Sequence, residues 1–190
     1  MVFEVDLIQS FPNSLSREVC QSLIRKFEED PRKTPGTTQR GLDPDFKRST
    51  DLMISFLPEY KGEDQILNQA LEKSFQHYCG TTLTKCGWNP KNVIDFGFQI
   101  QRTEPGEFYL WHNDQVPYAQ SGRVRFLTFI WYLNSLTEDE KGETAFWDGT
   151  LIRPEEGKLV LFPATWNFIH MGCSPKKTKY ICTGWLYETV

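Results

Sequence analysis

The sequence predicts a mainly β chain, a double-sheet jelly roll or barrel of short strands, with helices ahead of it. Three observations predict this. Helical periodicity of apolar residues is confined to the first half of the chain. From Val93 onward, short β-rich runs alternate with turn residues, as in all-β sandwiches and barrels. Six Trp and fourteen Phe supply side chains that pack well on pleated surfaces. At 190 residues the chain is expected to form a single domain. Residues 1–92 would be helical support and a loop region, and residues 93–190 the jelly-roll core.

Val5-Asp6-Leu7-Ile8 predicts a short strand, closed by Phe11-Pro12-Asn13. Ser14 is then a candidate N-cap. Leu15, Val19, Leu23 and Phe27 recur every four residues, which predicts an amphipathic helix to about Glu29 that covers one face of a sheet. Residues 31–50 are polar and rich in breakers, and they carry Arg32, Lys33, Arg40, Lys47 and Arg48. A solvated loop and a substrate clamp are equally open readings of that basic cluster. Asp51 to Phe56 predicts a strand that ends at Pro58. A second helix is expected from about Glu63 to Tyr78, with Ile66, Leu67, Ala70, Leu71, Phe75 and Tyr78 on its buried side. His77 falls in its last turn, where a cationic imidazole suits the helix dipole and needs no catalytic role.

The strand-rich half follows. Val93 to Arg102 predicts one strand, Glu104-Pro105-Gly106 a turn, and Tyr109 to Asp114 the next strand. Arg123 to Leu133 is long and β-rich. Glu143 to Trp147, Leu151-Ile152, Lys158 to Phe162, Asn167 to His170 and Lys179 to Tyr187 complete the set.

Composition narrows the function classes. A net charge of −4 and a pI near 5.5 argue against a general nucleic-acid binder. No apolar run approaches the roughly 18 residues that span a bilayer. The first residues lack the basic and apolar regions of a signal peptide, and Tyr187-Glu188-Thr189-Val190 is not a retention signal. Five Cys with irregular spacing and no Cys-x-x-Cys disfavour a zinc knuckle. Reduced thiols in the cytoplasm are the expectation, with Cys182 in the core.

The chemistry centres on Tyr109-Leu110-Trp111-His112-Asn113-Asp114. On a strand, residues two apart share a face, so His112 and Asp114 can take adjacent sites on a metal ion. One further His would complete the 2-His-1-carboxylate set of non-haem Fe(II) oxygenases. With three His in the chain, fewer than one His-x-acid pair is expected by chance, so the pair alone is weak. His170 strengthens it, since it follows the aromatic run Trp166-Asn167-Phe168-Ile169. Alternation also places Lys179, Ile181, Thr183 and Trp185 on one face of the last strand. A Lys on such a face points inward and needs an anionic partner, and if the protein supplies none, a dicarboxylate co-substrate would serve. Thr128, Ile130 and Tyr132 share a face of the long strand. Tyr132 reads equally well as a packing residue or as a hydrogen-bond donor to that carboxylate.

From Gln99 to Trp185 the sequence resembles the Fe(II)- and 2-oxoglutarate-dependent oxygenases of the prolyl-4-hydroxylase type. The resemblance runs through Pro105-Gly106-x-x-Tyr109-x-x-His112-x-Asp114, Tyr132-Leu133-Asn134 and Gly142-Glu143-Thr144-Ala145-Phe146. It continues through Pro154-x-x-Gly157, Leu161-Phe162, His170-Met171-Gly172-Cys173, Lys179-Tyr180 and Trp185. It implies a double-stranded β-helix with N-terminal helices against one sheet. It implies His112, Asp114 and His170 as iron ligands, Lys179 on the distal carboxylate of 2-oxoglutarate, and Tyr132 and Thr183 assisting. Fe(II), 2-oxoglutarate and O2 are the implied cofactor and co-substrates, with ascorbate as a candidate addition. Asp114 also bears on outcome, because related halogenases replace this carboxylate with a small residue. The family often carries a Tyr ahead of the Pro-Gly turn, where this chain has Arg102-Thr103.

By analogy alone, a prolyl or other protein side chain is the first substrate class, followed by free amino acids and small metabolites. Nucleic-acid demethylation is disfavoured, because the last Arg is Arg153 and the arginine-rich closing motif of those enzymes is missing. Two rivals remain. A non-enzymatic jelly-roll binding module would leave Lys179 unexplained, and a cupin-like metalloenzyme would not need it.

Overall fold

The computed structural model describes residues 5–116 and 123–189. Met1 to Glu4 and Val190, on which the readings of the two termini partly fall, lie outside them. The elements run β1 (Gln9–Phe11), α1 (Arg17–Glu29), β2 (Thr34–Pro35), β3 (Thr50–Met53), α2 (Lys61–Tyr78) and β4 (Val93–Asp95). They continue with β5 (Gln99–Thr103), β6 (Tyr109–His112), β7 (Arg123–Tyr132), β8 (Thr144–Phe146) and β9 (Leu151–Ile152). The last three are β10 (Leu159–Pro163), β11 (His170–Gly172) and β12 (Lys179–Thr189).

The strands form two antiparallel sheets. The major sheet has the order β1-β10-β7-β12-β5-β3-β2, with β4 also on β12, and the minor sheet has the order β6-β11-β8-β9. This is the jelly roll expected from the sequence. Period-two alternation assigns the two faces of the major sheet. On β7, Leu127, Phe129 and Trp131 face the helices and join Leu23, Phe27, Leu67, Leu71 and Tyr78 in the main core. The alternate residues Ile130 and Tyr132 meet Val160 and Phe162 of β10 and Phe146 of the minor sheet in a second, smaller core. Each fully buried Leu or Phe contributes about 1.5–3 kcal/mol, so the helix-covered face carries most of the stability. The face toward the minor sheet is left free to hold polar side chains.

Several boundaries differ from the sequence expectation. The first strand lies at Gln9–Phe11 rather than Val5 to Ile8, because the Asp6 carboxylate accepts from the Ile8 amide and turns the chain there. The N-cap of α1 is Ser16, whose hydroxyl accepts from the Val19 amide. Ser14 instead accepts from the Trp131 indole at 3.0 Å. The expected strand from Val93 to Arg102 is broken at Gly97, which has φ +94° and abuts the Ser55 side chain. Ile66 is exposed on α2, while Leu67 beside it is fully buried. Cys182 is buried as expected, and His77 packs edge-on to Phe11 at the surface. Among the described residues no helix is long and apolar enough to cross a membrane.

Gly157 fixes how the first helix meets the core. It has φ +79°, and a Cβ there would strike the carbonyl oxygen of Leu15. The Leu15 amide also donates to the Gly157 carbonyl at 3.1 Å. Gly157→Ala is therefore expected to destabilise the fold by more than about 1 kcal/mol. At roughly 2–4 °C per kcal/mol for a chain of this size, thermal unfolding should reveal it. An unchanged Tm would mean that the turn relaxes without cost.

Candidate metal centre

β6 and β11 are neighbours in the minor sheet, with His112 directly opposite His170. Their imidazole centroids lie 4.2 Å apart. Asp114 lies just past the end of β6, not within it. Its carboxylate nevertheless reaches both rings, with Oδ1 3.9 Å from His112 Nε2 and Oδ2 3.6 Å from His170 Nε2. The strand alternation that suggested the pair therefore gives the right neighbours by a different local path. His170 likewise begins its strand rather than ending it, since Thr165 to Phe168 form a turn.

One ligand atom from each of His112, Asp114 and His170 can be chosen so that all lie within 4.8 Å of one another. The tautomers fit metal binding. His112 Nδ1 bonds the Leu110 carbonyl at 2.7 Å, and His170 Nδ1 bonds the Phe168 carbonyl at 3.0 Å. Each Nδ1 is thereby the protonated nitrogen, which leaves the Nε2 lone pairs to face Asp114. Burial, then the neighbouring His170, push the His112 pKa down to about 3, against the pull of Asp114. Its imidazole is thus neutral and available as a ligand. Burial pushes the Asp114 carboxyl up, but His170, His112 and the Thr128 hydroxyl outweigh it, and the group stays below its ordinary range. Thr128 donates to Asp114 Oδ2 at 2.7 Å.

Arg125 holds the backbone here. Its guanidinium donates to the Asp114 carbonyl at 3.2 Å and stacks on the Trp185 indole at 3.5 Å. The triad opens into a cleft between the two sheets. Lys179, 4% exposed, lines the same cleft, on the inward face with Ile181, Thr183 and Trp185. Its ammonium bonds the Gly142 carbonyl at 2.9 Å. Burial lowers its pKa to about 8, with Cys173 and Glu143 partly opposing. A buried cation with so little compensation is the donor set that a dicarboxylate requires.

The remaining expected site residues are placed less simply. Thr183 lines the cleft, but its hydroxyl donates to the Phe129 carbonyl at 2.7 Å. Tyr132 does not line the cleft. It is fully buried and donates to the Thr144 hydroxyl at 2.7 Å, so Thr144 forms the wall that sequence reasoning gave to Tyr132. Thr128, Tyr109 and Lys47, none of them among the expected site residues, also line the cleft. Thr128 shares the inward face of β7, and Tyr109 sits inside the motif itself, so alternation could have found both. Lys47 carried no such signal. The basic cluster of residues 31–50 is largely spent internally. Lys33 caps the C-terminus of α1 through the Phe27 and Glu28 carbonyls, Arg32 pairs with Asp30, and Lys47 pairs with Asp51.

A jelly roll with two His and one carboxylate in one cleft with a buried Lys is an arrangement that suits a non-haem metal-dependent oxygenase. The sequence model of the 2OG-Fe(II) oxygenase superfamily matches residues 98–187, the segment that carries His112, Asp114, His170 and Lys179. A viral collagen prolyl hydroxylase from Paramecium bursaria Chlorella virus-1, in its 2OG complex, aligns with a TM-score of 0.71 at 21% identity, over 97% of each chain. A Trichoplax adhaerens prolyl hydroxylase in complex with a hypoxia-inducible-factor peptide gives 0.78 at 15% identity, over 96% of this chain and 84% of that one. A Pseudomonas putida prolyl-4-hydroxylase gives 0.63 at 17%, over 94% and 91%. At these identities the likeness is one of fold. No curated protein sequence matches the chain.

Proposed function

We propose that this protein hydroxylates a C–H bond of a prolyl or other side chain in a peptide, with Fe(II) held by His112, Asp114 and His170. The observation that carries this reading is the pairing of two Nδ1-anchored imidazoles around one buried carboxylate. Iron with 2-oxoglutarate and O2 supplies the oxidant for an unactivated C–H bond, and 2-oxoglutarate leaves as succinate and CO2. The residues do the rest. Lys179 binds the distal carboxylate, and Thr144 and Thr183 line the cleft that holds it. Tyr132 acts through Thr144. Thr128 and Arg125 hold Asp114 in place, and the apolar residues Ile130 and Ile181 exclude water. Asp114 occupies a position that a halide would need, which favours hydroxylation over halogenation.

The whole chain acts as a single domain, in which residues 1–92 brace the major sheet and residues 93–190 carry the chemistry. We place it in the cytoplasm, because its five cysteines are all unpaired, and we expect no nucleic-acid substrate for a chain of net charge −4. Free amino acids and small metabolites are the second substrate class.

The test begins without oxygen. Fe(II) and then 2-oxoglutarate, added to metal-free protein, should produce the visible band of a chelated keto acid. Proline-containing peptides, incubated with the loaded enzyme in air, should then gain the mass of one oxygen. Gain on free amino acids but on no peptide would move the assignment to the second class. Iron binding with no band would remove 2-oxoglutarate from the reaction.

A further inference from the structure

The two imidazoles are held differently. His170 lies on an inner strand of the minor sheet and packs against Phe146 and Phe162, at centroid distances of 5.7 and 4.8 Å. His112 lies on β6, at the edge of that sheet. On its far side it meets one ring, Tyr109, stacked at 3.5 Å with the planes 12° apart. The bond to the Leu110 carbonyl fixes one point of the His112 ring, and the stack fixes its plane. Together they leave Nε2 one direction, toward Asp114.

Tyr109 is in turn held by residues 46–48. This segment is zipped to β6 through Arg48 N–H to the Phe108 carbonyl at 2.8 Å and Leu110 N–H to the Phe46 carbonyl at 3.0 Å. Phe46 meets the Tyr109 ring edge-on at 5.8 Å, and the Lys47 ammonium lies 5.2 Å from its centroid. Lys47 cannot wander. It pairs with Asp51 at 2.8 Å, both are at least 96% buried, and Ser49 donates to the other carboxylate oxygen at 2.7 Å. Gly36 closes the pair from above. A Cβ there would strike Ser49 Oγ and lie 3.0 Å from both Asp51 Oδ2 and Lys47 Cε. A buried ion pair stabilises a fold poorly, because desolvation offsets the attraction. It does fix geometry. This one ties the edge of the minor sheet to β3 of the major sheet beside the cleft.

We infer that Lys47, locked to Asp51 under Gly36, is a positioning residue for His112, acting through Tyr109. The inference rests on the proposed role of His112 as an iron ligand, and the test separates the two. Fe(II) is titrated anaerobically into metal-free wild type and into Lys47→Met/Asp51→Asn, which keeps the shapes and removes both charges. 2-Oxoglutarate is then added and the visible band recorded. The pair variant should fold, with unchanged circular dichroism, yet bind Fe(II) about 10- to 100-fold more weakly, the usual effect of losing support behind a metal ligand. Its band should be shifted or diminished.

Wild-type affinity and an unaltered band in the folded pair variant would overturn the inference while leaving the iron site intact. Failure of wild type to bind Fe(II) would overturn both. Should the pair variant not fold, Tyr109→Leu decides, since removing the stacked ring must weaken Fe(II) binding to the same degree. Normal binding by Tyr109→Leu would overturn the inference.

Discussion

Asp114→Ala will leave a folded protein that no longer gains stability from iron and no longer turns over. The carboxylate is the one anionic group among the three candidate ligands, and His112 is held neutral with a pKa near 3. Without the carboxylate no anionic ligand remains to offset the charge of a divalent ion in a buried site. Metal chemistry is worth several kcal/mol of barrier, and each factor of ten in rate corresponds to about 1.4 kcal/mol, so turnover should fall at least about 10³-fold. The fold should bear the change. The Thr128 hydroxyl loses its acceptor, at a cost of about 1 kcal/mol. The cores on either side of the major sheet are untouched. A ligand at 100 times its Kd stabilises by roughly 2.7 kcal/mol, so wild type should show a clear anaerobic rise in Tm with Fe(II), and Asp114→Ala none. A persistent metal-dependent rise in the variant would mean that the ion is held elsewhere.

The fold was legible because two periods are written into different halves of the chain. Leu23 and Phe27 on α1, and Leu67 and Leu71 on α2, follow the helical period and pack on residues of β7 that follow the strand period. That agreement is why the helices-then-strands order could be read without coordinates. Boundaries were less legible where a side chain competes with the backbone. The Asp6 carboxylate moves the first strand, Ser14 is taken by Trp131, and Gly97 interrupts a run that looks continuous. At the site, the sequence pointed to His112, Asp114, His170 and Lys179, and the chain brings them around one cleft. It could not show that the Tyr132 hydroxyl is already engaged by Thr144, because that depends on the distance between two sheets. Nor could it show that Lys47, in a segment that reads as a polar loop, is 4% exposed and paired with Asp51. Such pairings are set by tertiary contacts that no local pattern encodes.

Lys179 should reveal itself through two pH dependences of opposite sign. In the ligand-free protein its pKa is lowered from 10.5 to about 8, chiefly by burial. Between those values the unfolded chain holds a proton that the folded chain does not, so stability rises with pH through this window. The contribution is complete above 10.5 and is lost as pH falls through 8. Binding of 2-oxoglutarate runs the other way. Its distal carboxylate needs the ammonium form, which the free protein loses above pH 8. Affinity should therefore be flat below about pH 7.5 and weaken by up to about tenfold per unit above 8. Lys179→Met removes both dependences at once. It also removes a charge-assisted hydrogen bond worth about 1.5–3 kcal/mol, which is roughly 10- to 100-fold in the Kd for 2-oxoglutarate at neutral pH. Taking wild type minus Lys179→Met cancels the other groups that titrate in alkali. The difference in stability should climb from pH 8 to 10.5, while the difference in 2-oxoglutarate affinity shrinks over the same range. A flat stability difference would mean that Lys179 keeps its proton when buried. A constant affinity difference would mean that the carboxylate is bound by some other group. Only a buried Lys whose pKa is lowered when the cleft is empty, and which must be cationic when the dicarboxylate is bound, produces both slopes together.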